Sequence, residues 1–593
     1  MPKRREPDVN ASLATRKVRP EFILGFGLVL LVWAVFGQSI LFDFVAWDDD
    51  QLIYRNPHFG GVTWDRLCWM FGSLDFVWRY LPLTWLGWSI NYDLGGLDPL
   101  GYHAGNLLLH TANVLLVFIV IRKVIRWRFY DAPASSVNIP AALAAALWGV
   151  HPLRAEPVAW ATDRVYCQSL FFLLLAFWCY LTWRVRAAEN PTVSQQKGNR
   201  RLYWLGVGLF AASLLSYQSG LCYAAVLMVL DFWPIRRFNE GLRGLFDRKA
   251  LSIWLEKVPY GILAMLIASV ALLARFSDAS KPALEGKLTL LQHFTQACYV
   301  LGYYVWKPVV PTNLSPFYNT LLTINPVEAR FTISIAAVIA ITAILWWRRH
   351  KWPGLLAAWI CHVALLLPVA GFTEYPHYTS DRYSYFAAVC FCCVAAALLV
   401  RCDAIKAWRS LSRFGAFAIL LILAVSAHQQ TRIWTNSVTL LEHILDELKG
   451  TPAPPGVHWR LANAHGHNGQ AELALGALRQ FIVNSPDRTG AMAKAANASF
   501  AYNLFDDAQR LYGAAVTKRP DDAELRNDYG VALAASGKSE EGMAQFDQAV
   551  RLRPDLASPW QNMALVLSKQ GKTNEAKPFL ERARALSPVS RKG

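Results

Sequence analysis

Long apolar runs separated by short polar segments fill the chain from residue 22 to residue 427. A helix that spans a bilayer needs about 20 such residues, and the first run, residues 22–42, has that length. Its basic flank, without a small-residue cleavage site, predicts an uncleaved first span with a cytoplasmic N-terminus. The further runs lie near residues 104–121, 139–153, 168–183, 203–216, 220–233, 259–275, 289–306, 331–347, 354–370, 384–400 and 413–427.

The distribution of charge predicts on which side of the membrane each connecting segment lies. Clusters of Lys and Arg are typical of cytoplasmic loops, and here they lie at residues 122–128, 184–201, 236–257, 348–351 and 401–413. All of these clusters can be cytoplasmic only if the run at 289–306 does not span the membrane, so we expect a re-entrant or interfacial helix there. The pattern therefore predicts about eleven spans, with the C-terminal region outside.

The pattern changes after Asn436, where the apolar runs end and a repeat begins. The period is 34 residues, with small residues at two fixed offsets and Pro at the end of each unit, which is the tetratricopeptide signature. The matching positions are Pro486, Pro520, Pro554 and Pro588; Ala462, Ala496, Gly530 and Ala564; and Ala474, Ala508, Gly542 and Ala576. Gly469, Asn503, Gly537 and Gly571 are expected in the turn between the two helices of each repeat.

Together these patterns predict an all-α protein in four parts. They are a basic cytoplasmic N-terminus (1–20), a transmembrane domain (21–435), a linker (436–456) and a tetratricopeptide-repeat α-solenoid (457–593). We expect the solenoid to bind a protein or peptide and to carry no catalytic residues.

Composition agrees with a membrane protein and excludes one soluble enzyme. Of the 593 residues, 54% are apolar and only 17% charged, against roughly 25% charged in soluble domains. The net charge of +17 is explained by basic loops beside a bilayer, so no nucleic-acid partner is expected. The ten Cys are scattered, mostly within apolar runs, so neither a zinc site nor a disulfide framework is expected.

The predicted outer loops contain the residues suited to chemistry. Asp48, Asp49 and Asp50 follow the first span directly. Clustered carboxylates at a partly desolvated site suit a general base, and they equally suit a divalent cation, which prefers oxygen ligands. The alternative is a solvated loop that ends a helix.

A second outer loop crowds His151, Arg154, Glu156 and Arg164 into a short stretch. Arg is well suited to binding phosphate, although these side chains are also compatible with interfacial snorkelling beside Trp160.

Further outer segments contain single candidates. Lys307 supplies another cation, and Arg382 either pairs with Asp381 or contacts a ligand. His103 is near the start of a helix and is compatible with a packing or capping role. Carboxylates for proton abstraction and cations for an anionic leaving group are what a lipid-linked phosphosugar would need.

As an ordered set, these motifs resemble the TMTC family, the transmembrane and tetratricopeptide-repeat-containing proteins, in the form of its bacterial relatives. The resemblance covers nearly the whole chain. It rests on Trp47-Asp48-Asp49, Pro82-Leu83-Thr84-Trp85-Leu86, Gly101-Tyr102-His103 with Asn106 and His110, His151-Pro-Leu-Arg154-Ala-Glu156-Pro-Val-Ala-Trp160, Asp231-Phe-Trp233-Pro234, Pro311-Thr-Asn313-Leu314, Asp381-Arg382-Tyr383-Ser-Tyr385 and Arg432-Ile-Trp434 with Ser437.

The resemblance implies a GT-C glycosyltransferase that takes a sugar from a polyprenyl-phosphate donor and passes it to an acceptor on the outer face. In the animal members the acceptors are Ser and Thr hydroxyls of proteins and the sugar is mannose. The catalytic acids would be Asp48 and Asp49, one of which deprotonates the acceptor hydroxyl. Arg164, Arg382 and Lys307 or His103 would hold the leaving phosphate, with the repeats recruiting the acceptor. The implied location is a bacterial cytoplasmic membrane, with the repeats in the periplasm.

The chain departs from that family pattern at Leu81, Val165, Tyr166 and Gln218, where relatives commonly carry charged residues. The departures favour a second hypothesis, a non-catalytic membrane-anchored repeat scaffold. A transporter is the third, and it is disfavoured because few charges lie within the apolar runs and no matching pair of broken segments is seen.

Overall fold

The computed structural model describes residues 20–74, 76, 79–129, 131–187, 193–238, 243–276, 288–372, 377–451 and 453–587. The predicted basic N-terminus, apart from Pro20, lies outside the described residues. The chain divides into two compact units, Met1–Asn436 and Ser437–Gly593. We call them the membrane unit and the repeat unit. The described part of each is helical and contains no strand, so the predicted all-α fold is confirmed.

The membrane unit has sixteen α-helices in its described residues, joined by short 3₁₀ turns and one π-helical turn at Asp50–Tyr54. They are α1 (Pro20–Phe36), α2 (Trp64–Gly72), α3 (Pro82–Gly95), α4 (Pro99–Arg128), α5 (Ala134–Gly149), α6 (Ala155–Ala159), α7 (Arg164–Ala187), α8 (Val193–Ser216), α9 (Tyr223–Phe232), α10 (Arg248–Leu255), α11 (Val258–Phe276), α12 (Leu290–Trp306), α13 (Ala329–Trp347), α14 (Pro353–Leu366), α15 (Ser384–Ala404) and α16 (Lys406–Thr431).

Each predicted apolar run forms a helix, but not every one is long enough to cross a bilayer alone. Six helical segments are long and apolar enough to do so, and they contain α1, α4, α7, α13, α15 and α16. Three shorter apolar segments contain α9, α11 and α14. The remaining two predicted spans correspond to α5, which has 16 residues, and to α8, whose first half is polar. Helix α12, predicted not to span, is in neither group.

Small residues bring the central helices of the membrane unit close together. The buried face of α5 is rich in Ala, and Ala141, Ala144 and Ala145 are inaccessible to solvent. A Cβ atom on Gly149 would lie 2.7 Å from the Val114 side chain of α4. Lipid tails are as apolar as the helix surfaces, so no hydrophobic effect drives helices together within a bilayer. They associate instead through such close packing. The tight core fixes where the loops at the helix ends meet.

The repeat unit begins with α17 (Ser437–Glu447), which lies in the range 436–456 that we predicted as a linker. Leu440, Leu441 and Ile444 are buried on one face of this helix, and the helix packs against the first repeat helix. The apolar spacing i, i+1 and i+4 gives α17 an amphipathic face to bury. This part of the predicted linker is therefore folded structure.

Four helix pairs follow in the described part of the repeat unit, at the predicted 34-residue spacing. They are α18 (Pro455–His467) and α19 (Ala471–Asn484), α20 (Arg488–Ala501) and α21 (Phe505–Lys518), α22 (Ala523–Ala535) and α23 (Ser539–Leu552), and α24 (Ala557–Lys569) and α25 (Thr573–Leu586). Pro588 lies outside the described residues.

The fixed small residues are the contact points within each pair. The Ala residues at both offsets are inaccessible to solvent, and in the third pair a Cβ on Gly542 would lie 2.8 Å from the carbonyl oxygen of Gly530. The inter-helix turns contain Gly469, Asn503, Gly537 and Gly571, with φ angles of 71°, 62°, 87° and 79°. This left-handed backbone favours Gly and tolerates Asn, so the predicted turn positions are the observed ones.

Candidate functional site

Asp49 links the two predicted outer loops of the membrane unit. Its carboxylate is inaccessible to solvent and accepts hydrogen bonds from the Val45 amide at 2.9 Å, the Thr162 amide at 3.1 Å and the Thr162 hydroxyl at 2.7 Å. Burial raises the pKa of Asp49 from 3.8 to about 7, although the hydrogen bonds from Val45 and Thr162 oppose the shift. Oδ1 thus joins the two loops, and Oδ2 stabilises the turn within the first loop.

Asp48 has a different environment from its neighbour. It is only partly buried, and its charge acts on Arg79 and on Asp163 of the second loop. Arg79 keeps contact with solvent although protein surrounds it, as expected in an open cleft. Desolvation lowers the pKa of Arg79, but the Asp48 carboxylate together with Tyr217 and Tyr166 outweighs this, and the pKa is raised. A half-exposed carboxylate therefore faces a solvent-accessible cation.

Glu156 and Arg382 form a buried ion pair beside this cleft. Their side chains are 4% and 14% exposed, and the Glu156 carboxylate also accepts hydrogen bonds from the Ser380 hydroxyl at 2.8 Å and the Arg382 amide at 2.9 Å. The guanidinium lies over the ring of Trp160, 5.2 Å from its centroid. Two predicted site residues from distant parts of the sequence are thus in direct contact.

Asp163 belongs to the same cluster, and we did not predict it. Its Oδ1 atom lies 3.6 Å from Nε of Arg382. The carboxylate is buried, and its Oδ2 atom has no hydrogen-bond partner among the described residues. The only sequence signal was its place directly before Arg164. The cluster formed by Asp48, Arg79, Glu156, Asp163 and Arg382 is called the outer polar cluster below.

Asp381 and Lys307 lie next to each other near the outer polar cluster. The Asp381 carboxylate accepts a hydrogen bond from the Tyr318 hydroxyl at 2.9 Å, and its charge interacts with those of Lys307 and Glu156. The Lys307 ammonium is buried and donates to the carbonyl oxygens of Thr312 at 2.7 Å and Asn313 at 3.2 Å. Lys307 thus closes its own loop. Asp381 was predicted only as a partner for Arg382.

The two predicted histidines lie inside the protein. The Nδ1 atom of His151 accepts a hydrogen bond from the Leu153 amide at 3.2 Å, and Nε2 is 2.9 Å from the carbonyl oxygen of Pro308. Nδ1 therefore stabilises the turn of its own loop, and Nε2 joins that loop to the one at Pro308. His103 is 1% exposed and packs edge-on against Phe42. Its surroundings agree with the packing role that we considered for it.

The two predicted arginines of the second loop are placed differently from each other. Arg154 is 1% exposed and donates to the Ser384 hydroxyl at 2.6 Å, and burial lowers its pKa to about 10. Its Nε and Nη1 atoms have no hydrogen-bond partner in the described structure. Arg164 is half-buried and donates to Asn91 on α3 at 2.9 Å and to Gln168 at 3.2 Å, so it braces α3 against α7.

The four departures from the family pattern lie around the outer polar cluster. Leu81 and Val165 are buried. Tyr166 is also buried, and its hydroxyl donates to that of Tyr217 at 3.2 Å. The Tyr166 ring centroid is 6.0 Å from the Arg382 guanidinium, and Gln218 donates to the Tyr80 carbonyl at 2.5 Å. Aromatic packing thus occupies this side of the cluster.

The structure also bears on where a metal ion could be held. In the described part of the chain, no three His, Cys, Asp or Glu residues are grouped to hold one. Asp49 uses both oxygens for hydrogen bonds, while Asp48 is partly buried beside Arg79. The arrangement as it stands suits proton transfer at Asp48 and binding of an anion at Arg79.

Comparison with known sequences finds relatives in animals. The chain is 30% identical to the human protein O-mannosyl-transferase TMTC4 over 34% of this chain and 28% of that protein. It is 31% identical to Drosophila melanogaster Tmtc3 over 27% and 18% of the two chains. It is 24% identical to the Caenorhabditis elegans protein O-mannosyl-transferase F38B6.6 over 72% and 58%. The chain therefore matches less than two thirds of the length of each of these relatives.

The repeats are matched separately. Residues 557–589 match the family model for the tetratricopeptide repeat. Among solved structures, MamA from the strain MSR-1 is 22% identical over 26% of this chain and 87% of that chain, with a TM-score of 0.22. MamA from Desulfovibrio magneticus RS-1 is 16% identical over 25% and 83%, with a TM-score of 0.22. The curated relatives and the repeat together confirm the resemblance of this chain to the TMTC family.

Proposed function

We propose that the protein is a membrane glycosyltransferase that moves a sugar from a polyprenyl-phosphate donor to a hydroxyl group of a protein acceptor. The relatives are named protein O-mannosyl-transferases, which supports glycosyl transfer to protein. The observation that carries the proposal is the Asp48–Arg79 pair, because it combines a solvent-accessible base with a solvent-accessible cation.

In the proposed reaction the acceptor oxygen attacks the anomeric carbon of the sugar while Asp48 takes the hydroxyl proton. The bond between the anomeric carbon and the phosphate oxygen breaks, and the electron pair stays on the polyprenyl phosphate. Arg79 offsets the charge that develops there. Arg382 is already paired with Glu156 and Asp163, so we assign it, together with Asp49, to holding the loops in place.

The proposal includes a GT-C architecture, a position of the outer polar cluster on the outer face of the membrane, and a protein acceptor. Basic clusters on the opposite ends of the helices support an outer position for the outer polar cluster. The repeat unit, which contains no such cluster of buried charges in its described residues, is proposed to recruit the acceptor protein.

The test measures sugar transfer by full-length protein in detergent, from a panel of radiolabelled polyprenyl-phosphate sugars to a peptide rich in Ser and Thr. We expect Asp48→Asn to reduce transfer by about 10²-fold or more and Arg79→Gln by roughly 10²-fold. Asp43→Asn is the matched control because Asp43 lies exposed in the same loop, and it should keep wild-type activity. The same transfer assay with a chelator present decides whether a divalent metal at Asp48–Asp50 takes part.

The second candidate is a non-catalytic membrane-anchored scaffold. It is favoured by the buried, uncharged side chains of Leu81, Val165 and Tyr166 at positions where the family resemblance implies charge. In that case wild type transfers no sugar from any donor, while the repeats still bind a periplasmic protein. Transfer that Asp48→Asn leaves unchanged would instead exclude Asp48 as the base.

A further inference from the structure

The membrane unit contains a second feature besides the outer polar cluster, an apolar cavity. A cavity of about 460 Å³ lies between α4, α7, α9, α14 and α15, which is within the usual size of ligand pockets. Its walls are mostly apolar and include Leu174, Val226, Ala358 and Val394. The cavity therefore offers hydrocarbon-like surroundings inside a helix bundle.

The mouth of the cavity is basic. Five basic residues from four separate segments line it, and the described lining contains no Asp or Glu. All five are exposed, and none makes an ion pair among the described residues. They are Arg128 at the end of α4, Arg236 after α9, His350 and Lys351 between α13 and α14, and Arg401 near the end of α15. We call these five residues the basic rim.

One member of the basic rim is held by an unusual backbone. Arg236 has a φ angle of 58°, a conformation that non-glycine residues rarely adopt. The turn around it is fixed by a buried ion network, in which Asp231 accepts hydrogen bonds from Tyr180, Arg237 and Lys257. The Arg236 guanidinium lies 4.4 Å from the centroid of the Trp233 ring, at the cavity mouth. The Arg236 cation, although exposed, is thus held beside the cavity mouth.

The basic rim lies at the opposite ends of the helices from the outer polar cluster. Helix α4 has 30 residues and ends at Arg128, so it is about 45 Å long. Helix α15 begins at Ser384, beside Arg382, and carries Arg401 in its last turn. The rim segments belong to the basic clusters that we predicted to be cytoplasmic. A basic mouth above an apolar cavity between membrane helices matches the shape of an anionic lipid, with a negative head and an apolar tail.

We propose that this cavity binds one anionic phospholipid, with an acyl chain between the helices and its phosphate on the basic rim. The charge of the rim, unopposed by carboxylates in the described lining, selects an anionic head over a zwitterionic one. The proposal does not depend on the proposed glycosyl transfer, because none of the rim residues belongs to the outer polar cluster.

The test counts bound lipid by native mass spectrometry on delipidated full-length protein in detergent. The protein is titrated with dioleoyl-phosphatidylglycerol or with dioleoyl-phosphatidylcholine. We expect one phosphatidylglycerol to bind in preference to phosphatidylcholine. The double variant Arg236→Gln, Lys351→Gln should weaken that binding roughly 30-fold, since each cation near a lipid surface contributes about fivefold.

Two controls separate the rim from general surface charge. Arg126→Gln with Lys406→Gln removes two exposed basic residues that do not line the cavity, and binding should be unchanged. Ala358→Phe fills the cavity and should abolish binding, whereas Ala337→Phe, on an exposed face of α13, should not. A melting curve for each variant verifies that it remains folded.

Two results would overturn the proposal. Equal binding of both phospholipids, unaffected by the rim variant, would show that the charge of the rim has no role. The end of the cavity that lies away from the basic rim reaches Phe386, two residues from the start of α15. If undecaprenyl phosphate displaces phosphatidylglycerol and the rim variant has no effect, the cavity instead holds the tail of a lipid bound at the outer polar cluster.

Discussion

The membrane unit and the repeat unit place their charged groups in opposite ways. In the membrane unit the Glu156–Arg382 pair is 4% and 14% exposed. In the repeat unit the Arg553–Glu524 pair is 47% and 65% exposed, and its helix contacts are made by Ala and Gly. A buried charge is costly unless it keeps its partner, whereas an exposed pair contributes little. The comparison indicates that the membrane unit joins its loops through buried charge, whereas the repeat unit joins its helices through small apolar residues.

The largest expected effect comes from breaking the buried pair. Glu156→Gln removes the charge that Arg382 faces and weakens the hydrogen bonds from Ser380 and the Arg382 amide. We expect the free energy of unfolding in mixed micelles to fall by about 3 kcal/mol. This is the lower end of the cost of removing one partner of a buried ion pair, because Asp163 still faces Arg382.

Glu328→Gln is the matched control in the same unit. The Glu328–Arg330 pair is 42% and 40% exposed, and its loss should cost less than about 1 kcal/mol. Equal losses in the two variants would contradict the contrast between buried and exposed pairs.

Asp49 predicts a pH dependence of stability. Its pKa is about 7 in the folded protein against 3.8 in the unfolded chain, so the folded state binds more protons between these values. The free energy of unfolding therefore falls as pH rises from about 4 to about 7, by roughly 2 to 3 kcal/mol between pH 5 and pH 7. Above pH 7 it levels off. Unfolding measured across this range should lose that slope in Asp49→Asn. A slope that persists in the variant would assign it to another group.

The close helix contact in the third repeat predicts a smaller effect. A Cβ on Gly542 would approach the Gly530 carbonyl oxygen to 2.8 Å, so Gly542→Ala should destabilise the pair by about 1 to 2 kcal/mol despite the better helix propensity of Ala. Hydrogen exchange of α22 and α23 in the full-length protein measures this. Gly476→Ala, where no atom lies within 4 Å of the new Cβ, should stabilise α19 by about 0.5 to 1 kcal/mol.

The inter-helix turns predict an effect of about 1 kcal/mol. Gly537 has a φ angle of 87°, and Gly537→Ala should destabilise the third pair by about 1 kcal/mol because left-handed backbone disfavours a Cβ atom. Asn503→Gly at φ 62° should instead be neutral or stabilising by a few tenths of a kcal/mol. Hydrogen exchange of the two pairs distinguishes the variants, and destabilisation by Asn503→Gly would mean that the Asn side chain itself stabilises its turn.

The smallest effect is expected at the exposed pair of the repeat unit. Arg553→Gln removes the partner of Glu524 and should change the free energy of unfolding by less than about 1 kcal/mol, with the difference shrinking in high salt. A salt-insensitive loss of several kcal/mol would show that the repeat unit also depends on fixed charge pairs.

The helices of both units were predictable because their signals are local. Apolar runs determine helices in a bilayer, since every backbone group must be hydrogen-bonded within the segment. The 34-residue period fixed the repeat pairs, the small contact residues and the left-handed turns. The linker prediction for 436–456 missed helix α17, although Leu440, Leu441 and Ile444 at positions i, i+1 and i+4 are a helical pattern in the sequence.

The candidate site was predicted in part. Asp48, Asp49, Glu156 and Arg382 stood out as charged residues in outer loops, and three of them lie in the outer polar cluster. The sequence did not distinguish Asp48 from Asp49, which differ in burial and hydrogen bonding. It also missed Arg79 and Asp163, because what draws them to Asp48 is the packing of separate segments.

The sequence by itself determined the all-α class, the helical segments and the repeat spacing, since each follows from hydrophobicity and backbone preference over a few turns. Only the tertiary structure decided which charges meet. Asp49 joins Thr162 and Glu156 joins Arg382 across more than 100 residues of chain. Such contacts depend on how whole helices pack, and the free energy of a charge depends on the partner and the burial that this packing gives it.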